Sequence, residues 1–127
     1  DEPLNLSAFM ASLLGEEPMS EEDLQSAIEA ASAYPLGSER NPVRADGPPG
    51  ERAYLSRLRC RDLRPPTFER LGSGGASPFG GIVDIYKVEC RAGDPPETRV
   101  YMDMYHAGHF EEEAVPGFGI TGGRVAR

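Results

Sequence analysis

The chain has 127 residues, of which 21 are Asp or Glu and 13 are Lys or Arg, so its formal net charge is −8. This length fits one domain, and the acidic charge repels phosphate backbones, which argues against a nucleic-acid-binding surface. No apolar run approaches the roughly 20 residues of a membrane-spanning helix, so the sequence predicts no membrane span.

The first 36 residues have the pattern of two helices. In the first, apolar residues between Leu4 and Leu14 recur at spacings of three and four, which places them along one side of a helix. In the second, Ser20 is a suitable N-cap, and residues 21–23 put carboxylates in the first turn, where the helix dipole favours negative charge. We expect these helices to form a hairpin that covers one face of a sheet.

Residues 37–52 are rich in proline and glycine, and this composition predicts a linker. Residues 53–127 have the composition of one small β domain. Strands are predicted at 53–60, 67–71, 82–90, 98–106 and 115–120. Turns are predicted where proline and glycine cluster, at 62–66, 72–81 and 91–97. The predicted fold is therefore α+β, an N-terminal helical hairpin followed by a small antiparallel sheet of about three to five strands with long loops rich in glycine and proline.

The two cysteines, Cys60 and Cys90, each end a predicted strand. If strands 53–60 and 82–90 are antiparallel neighbours, the two residues lie about 26 Å apart, far beyond the ~7 Å between α-carbons that a disulfide tolerates. A parallel arrangement would permit the bond, so a disulfide and two buried thiols both stay open. The polar start Asp1-Glu2-Pro3 is typical of a processed export product and favours a periplasmic or secreted location.

Both histidines of the chain lie at the end of the predicted strand 98–106 or just beyond it. Hairpin pairing with the preceding strand would gather four side chains at one end of the sheet: Asp84, Asp103, His106 and His109. Imidazole and carboxylate are ligands that zinc accepts, so Asp103, His106 and His109 are candidate metal ligands and zinc is the candidate ion. Their spacing matches no established metal motif, and an aspartate in mid-strand more often faces solvent or bonds to Tyr or Arg.

No nucleophile motif or phosphate-binding motif is present, so we assign no catalytic residue. We predict a small non-catalytic acidic binding protein, an inhibitor or accessory subunit, that docks on a larger protein with a basic surface. The predicted partner-binding residues combine carboxylates with tyrosine and histidine: Asp84, Tyr86, Asp103, Tyr105, His109, Glu111, Glu112 and Glu113.

Two alternatives stay open. The first is a metal-dependent enzyme or metal-binding protein that uses Asp103, His106 and His109. The second is a structural module that self-assembles through its amphipathic first helix. The sequence does not indicate an oligomeric state.

Overall fold

The computed structural model describes residues 19–122. Its elements, in chain order, are α1 (Glu21–Ala31), β1 (Val43–Arg44), α2 (Gly47–Arg57), β2 (Leu58–Arg59), β3 (Thr67–Ala76), β4 (Ile82–Glu89), β5 (Thr98–Asp103) and β6 (Gly119–Ile120). The fold is α+β, as the sequence predicts. The predicted helix from Leu4 to Leu14, and with it the hairpin and its self-assembly, lies outside the described residues. Within those residues, neither helix has the length and apolarity to cross a membrane.

Helix α1 begins as the sequence predicts. Ser20 is the N-cap, and its hydroxyl accepts a hydrogen bond from the backbone N–H of Asp23 at 3.1 Å. This bond satisfies one of the N–H groups that the first turn of a helix leaves without an internal partner. Ala31 is the one buried residue of this helix, so most of the α1 surface faces solvent.

The main sheet has four strands in the order β1–β5–β4–β3. Strand β4 pairs antiparallel with β3 and β5, whereas β1 runs parallel to β5. The sheet is therefore mixed, which corrects the expected antiparallel sheet. The sequence pattern missed β1 because two residues are too few to show an alternation of apolar and polar side chains. Strands β2 and β6 form a separate antiparallel pair.

Helix α2 occupies most of the segment for which a strand was predicted at 53–60. Its first turn contains Pro48 and Pro49, at positions where a missing backbone N–H removes no helical hydrogen bond. Its inner side follows a helical spacing, with buried residues at Glu51, Tyr54 and Leu55. Tyrosine and leucine also suit a strand, and the helical spacing includes the acidic Glu51, which a search for apolar residues passes over. The core lies between this stripe and one face of the main sheet.

Cys60 and Cys90 form a disulfide, with their α-carbons 5.8 Å apart. The long separation expected for antiparallel neighbours does not arise, because residues 53–57 are helical and Cys60 follows β2, outside the main sheet. The bond joins the end of β2 to the end of β4. The two cysteines are 30 positions apart in the sequence.

Candidate functional site

The pairing of β4 with β5 is confirmed, in a register that places Val83 opposite Asp103 and Asp84 opposite Met102. Strand β5 ends at Asp103, so His106 lies beyond the last pair of residues. It does not lie beside Asp84, which corrects the expectation from the sequence. Successive strand residues point to opposite faces. Asp84 therefore shares the core face with Met102, whereas Asp103 points to the other face. The expected single polar cluster is thus two separate centres.

The first centre surrounds Asp103, which has no exposed surface. Its carboxylate accepts hydrogen bonds from the backbone N–H groups of Tyr105 at 3.0 Å and Gly81 at 3.3 Å. The His106 Nε2 atom lies 3.0 Å from Oδ2, out of line for a hydrogen bond. Burial opposes ionisation of Asp103, but the approach of His106 and the hydrogen bonds from Ser77 and Tyr105 outweigh it and lower the pKa. Asp103 is therefore held as a carboxylate.

The turn between β3 and β4 is fitted closely around this carboxylate. The Ser77 N–H donates to the carbonyl oxygen of Gly81 at 2.8 Å, and the Ser77 hydroxyl accepts from the Phe79 N–H at 2.9 Å. A Cβ on Gly81 would collide with the Asp103 side chain. The Phe79 ring packs edge-on against the His106 ring, with centroids 6.2 Å apart. These contacts connect residues 77–81 and residues 105–106 to the end of β5.

The second centre joins Asp84 to Glu51, a residue that the sequence analysis missed. Arg70 donates two hydrogen bonds to Asp84 Oδ1, at 3.3 Å and 2.9 Å. The Tyr86 hydroxyl donates to Glu51 Oε1 at 3.1 Å. Burial, followed by the neighbouring Asp84 carboxylate, raises the pKa of Glu51 to about 8. At neutral pH Glu51 is therefore mostly the neutral acid, and its Oε2 atom is buried without a hydrogen-bond partner.

The third group lies in the acidic segment after β5. The His109 Nε2 atom lies 3.2 Å from Glu111 Oε1, and Glu111 Oε2 accepts from the backbone N–H of Glu113 at 3.2 Å. Burial would raise the pKa of Glu111, but the interactions with His109 and with the Glu113 N–H lower it. Glu111 is therefore ionised and directed inward. Glu112 and Glu113 are exposed.

The predicted metal ligands do not converge. The His109 side chain pairs with Glu111, while His106 pairs with Asp103. Between residues 19 and 122, no three side chains of His, Cys, Asp or Glu lie close enough to hold a metal ion. The set of Asp103, His106 and His109 is thus divided between two pairs in this structure.

The eight predicted partner-binding residues differ in their access to solvent. Three are buried: Asp84, Tyr86 and Asp103. Three are half-buried: Tyr105, His109 and Glu111. The remaining two, Glu112 and Glu113, are exposed.

A different surface feature is the loop of residues 60–64, which we call the Leu63 loop. Leu63 is 79% exposed, more than any other large apolar side chain in the described residues. Its φ of 69° lies in the left-handed region, where it is the only non-glycine residue of residues 19–122. A bulky residue rarely adopts this conformation. The sequence predicted a turn here but gave no reason to single out its leucine.

The Leu63 loop is held on both sides. The N–H of Leu63 donates to the carbonyl oxygen of Cys60 at 2.8 Å. The N–H of Cys60 donates to the carbonyl oxygen of Arg64, also at 2.8 Å. Arg61 contacts Asp94 twice, through its backbone N–H and through a 3.1 Å ion pair. The disulfide fixes the base of the loop. Leu63 is therefore presented to solvent by a constrained backbone.

Comparison of the chain with protein-family models, with curated proteins and with solved structures found no match. Fold-level analogy therefore offers no guide to function, and the chemistry of individual sites is what remains. The Asp84 and Asp103 carboxylates have hydrogen-bond donors within the fold, whereas the Leu63 loop presents an apolar group to water.

Proposed function

We propose that the protein is a non-catalytic binding protein, an inhibitor or accessory subunit, that docks on a larger protein through the Leu63 loop. The observation that carries the proposal is the exposure of Leu63 on a constrained left-handed backbone. An exposed leucine forgoes about 1.5–3 kcal/mol of burial free energy. Its left-handed conformation costs about 1–2 kcal/mol more. Strain of this kind is found preferentially at ligand clamps and binding sites.

The constraints on the loop favour binding. A flexible loop loses conformational entropy when a partner orders it, whereas a loop fixed during folding loses little. The closing hydrogen bonds, the Arg61–Asp94 ion pair and the disulfide hold the Leu63 loop before any partner arrives. The exposed Arg61 and Arg64 flank the leucine, and arginine is enriched among residues that dominate binding energies. Leu63 would enter an apolar pocket, with the arginines at its rim.

Electrostatics supports a partner with a basic surface. The net charge is −8, and nine of the acidic residues precede Arg40, the first Lys or Arg of the chain. In α1 the acidic side chains are exposed, from Glu21 to Glu29. The charge of Arg61 is paired with Asp94, and the Asp62 carboxylate accepts a hydrogen bond from the backbone N–H of Arg64 at 3.0 Å. The protein as a whole would therefore be steered towards positive charge. The disulfide supports an exported location, where such bonds persist.

The test compares Leu63→Ala with Leu71→Ala, a matched change at a leucine that is 44% exposed on β3. Immobilised wild-type protein captures partners from an extract of the source, and titration calorimetry then measures the affinity of each purified captured protein. Removal of a leucine side chain that the partner would bury should weaken binding about 10- to 100-fold. Leu71→Ala should leave the affinity unchanged.

The salt dependence of the association rate between this protein and a captured partner provides a second measurement. Raising the salt concentration should slow association, because screening weakens long-range attraction between an acidic protein and a basic partner. Equal affinity of wild type and Leu63→Ala for every captured protein would refute docking through this loop. Association that is independent of salt would refute the basic partner alone.

A further inference from the structure

Strand β3 is the outer strand of the main sheet, because its only neighbour in the strand order is β4. Within residues 19–122, no backbone group of Thr67–Ala76 has a hydrogen-bond partner on the outer side of the strand. Eight of its ten residues are exposed and none is buried. Proteins usually cover or blunt an open edge, because its unpaired N–H and C=O groups can pair with another strand. The edge of β3 is therefore available to a further strand.

The hydrogen bonds of the neighbouring strands show which backbone groups of β4 point towards β3. The N–H of Tyr101 donates to the carbonyl oxygen of Gly37 at 2.8 Å, so the backbone groups of Tyr101 point away from β4. Ile85 lies directly opposite Tyr101. In an antiparallel pair, opposite residues either bond to each other or both point away, and the two kinds of pair alternate. The backbone groups of Ile85 and Lys87 therefore point away from β5 and towards β3.

The same alternation determines the outward groups of β3. Lys87 lies opposite Glu69, so these two residues exchange the backbone hydrogen bonds that join β4 to β3. The residues on either side of Glu69 are Phe68 and Arg70. Their N–H and C=O groups therefore point outwards, where an added antiparallel strand could bond to both residues.

The two residues with outward groups are fixed by side-chain contacts inside the protein. The Phe68 ring packs edge-on against the Tyr86 ring, with centroids 6.2 Å apart. The guanidinium group of Arg70 donates to Asp84 Oδ1 at 2.9 Å. These contacts order the backbone of Phe68 and Arg70 before any partner arrives. Pairing with another strand then costs less conformational entropy than it would in a flexible segment.

The regular part of this free edge is short and borders the Leu63 loop. Residues 67–70 pair with β4 one by one, and the register shifts between Arg70 and Gly72. Such an irregularity bends a strand and interrupts regular pairing. We call residues 67–70 the β3 edge. Arg64 of the Leu63 loop and Thr67 of the β3 edge line one groove, so the two surfaces are continuous.

Charge distinguishes a partner strand from a second copy of this chain. The side chain of Glu69 is 67% exposed, and it shares the Lys87 ammonium group with Glu89, at 3.5 Å and 3.6 Å. Two carboxylates meet one cation, which leaves a negative charge at the β3 edge. If two copies paired so that Phe68 of one bonded to Arg70 of the other, Glu69 would lie opposite Glu69 of the second copy. Like charges directly opposite destabilise a strand pair, whereas opposite charges stabilise it.

We propose that the β3 edge accepts an extended segment of the partner protein as an added antiparallel strand, with a basic side chain opposite Glu69. This inference rests on the proposed function, since the same partner would receive both Leu63 and the neighbouring β3 edge. The N–H and C=O groups of Phe68 and Arg70 would supply backbone hydrogen bonds, and the side chain opposite Glu69 would supply specificity. Leu71 lies beyond the β3 edge, so Leu71→Ala remains a control for docking.

The first test uses the full chain and a synthetic peptide, acetyl-Thr-Val-Lys-Val-Thr-amide, and measures backbone amides by NMR. The peptide should shift the amide signals of Phe68 and Arg70 along a saturating curve and slow their hydrogen exchange. The amide of Glu69 should exchange slowly with and without the peptide, because it already bonds to Lys87. Methylation of both valine nitrogens removes the peptide's donors to Phe68 and Arg70, so the methylated peptide should have no effect.

The second test exchanges charges. A peptide with glutamate in place of lysine should bind the wild-type protein at least about threefold more weakly, because it places like charges opposite each other. In Glu69→Lys the glutamate peptide should bind more tightly than the lysine peptide. Glu29→Lys makes the same change of charge at an exposed position of helix α1, and it should keep the wild-type order. This variant separates a contact at the β3 edge from the effect of net charge.

The inference is overturned if the lysine peptide leaves the amides of Phe68 and Arg70 unchanged, if the methylated peptide shifts them equally, or if Glu69→Lys keeps the wild-type order. Shifts of these amides with protein concentration alone would assign the β3 edge to a second copy and would equally overturn it. Failure of the peptide tests would leave docking through the Leu63 loop standing. Equal affinities of wild type and Leu63→Ala for captured partners would instead leave the β3 edge as a separate strand-binding site.

Discussion

Asp103 and Leu63 both depart from the exposure that is usual for their residue types, and they do so in opposite directions. Asp103 is charged and has no exposure, whereas Leu63 is apolar and 79% exposed. Charged groups are rarely buried without partners. The carboxylate accepts two backbone hydrogen bonds inside the fold, while most of the leucine side chain faces water. The buried Asp103 is provided for within the fold, which points to an architectural role, and we propose that the exposed Leu63 is a contact for a binding partner.

The largest expected effect tests the architectural side of this comparison. Asp103→Ala removes the acceptor for two backbone N–H groups and the carboxylate that lies 3.0 Å from the His106 ring. Breaking one side of a buried polar pair costs about 3–5 kcal/mol, so the free energy of unfolding should fall by about 4 kcal/mol in urea denaturation. The control is Glu69→Ala, an exposed partner of Lys87, which should cost less than about 1 kcal/mol. A loss as small as the control's would mean that Asp103 is not structural.

The second effect concerns the base of the Leu63 loop. Replacing Cys60 and Cys90 together by serine opens a link across 30 residues of sequence. In the chain-entropy description, this loss destabilises the protein by about 3.5 kcal/mol. Partner affinity should also fall, because the loop is then ordered only on binding. Urea denaturation and titration calorimetry measure the two effects. Unchanged affinity in the folded double variant would show that the disulfide does not prepare the loop.

The third effect separates the two buried carboxyl centres. Glu51 has a pKa of about 8 in the folded protein and an ordinary value near 4.5. The folded state therefore binds more protons between these values, and stability is full at low pH and falls as pH rises towards 8. The slope approaches about 1.4 kcal/mol per pH unit for one proton. Glu51→Gln keeps the contacts to Asp84 and Tyr86 without this proton, so its stability should decline less between pH 5 and 8. Parallel profiles of the two proteins would contradict a neutral Glu51.

The smallest effect lies on the binding side. Leu63→Ala should change the free energy of unfolding by less than about 0.5 kcal/mol, as expected for exposed positions. Leu63 is not among the core residues, so removing its side chain takes nothing from the core. Thermal or urea unfolding measures this directly. A loss of 2 kcal/mol or more would place Leu63 among the structural residues and remove the contrast with Asp103.

Local patterns in the sequence predicted the features that depend on local interactions. The Ser20 cap and helix α1 follow from neighbouring residues, and the pairing of β4 with β5 follows from a short connection. The Asp103–His106 contact joins residues three apart. The contact of Glu51 with Asp84 depends on packing α2 against the sheet. The sequence also did not predict the start of α2, because Pro48 and Pro49 are typical of a linker although they also suit a first helical turn.

Exposure and backbone conformation were the properties least accessible from the sequence. The turn signal from Pro65 and Pro66 located a bend near Leu63, but its left-handed φ results from closure by Cys60, Arg64 and the disulfide. Likewise, the alternation of strand faces decides that Asp84 and Asp103 diverge, and that depends on the register. Tertiary geometry therefore decides which of these residues a partner can reach.

Hydrogen–deuterium exchange of the protein, alone and with its captured partner, tests the central claim most directly. The account predicts that added protection is concentrated in residues 60–64 and around the disulfide-linked end of β4. Amides near Asp103 should exchange slowly in both states, since that centre is already satisfied. Protection centred on residues 103–111, with the Leu63 loop unchanged, would contradict the account.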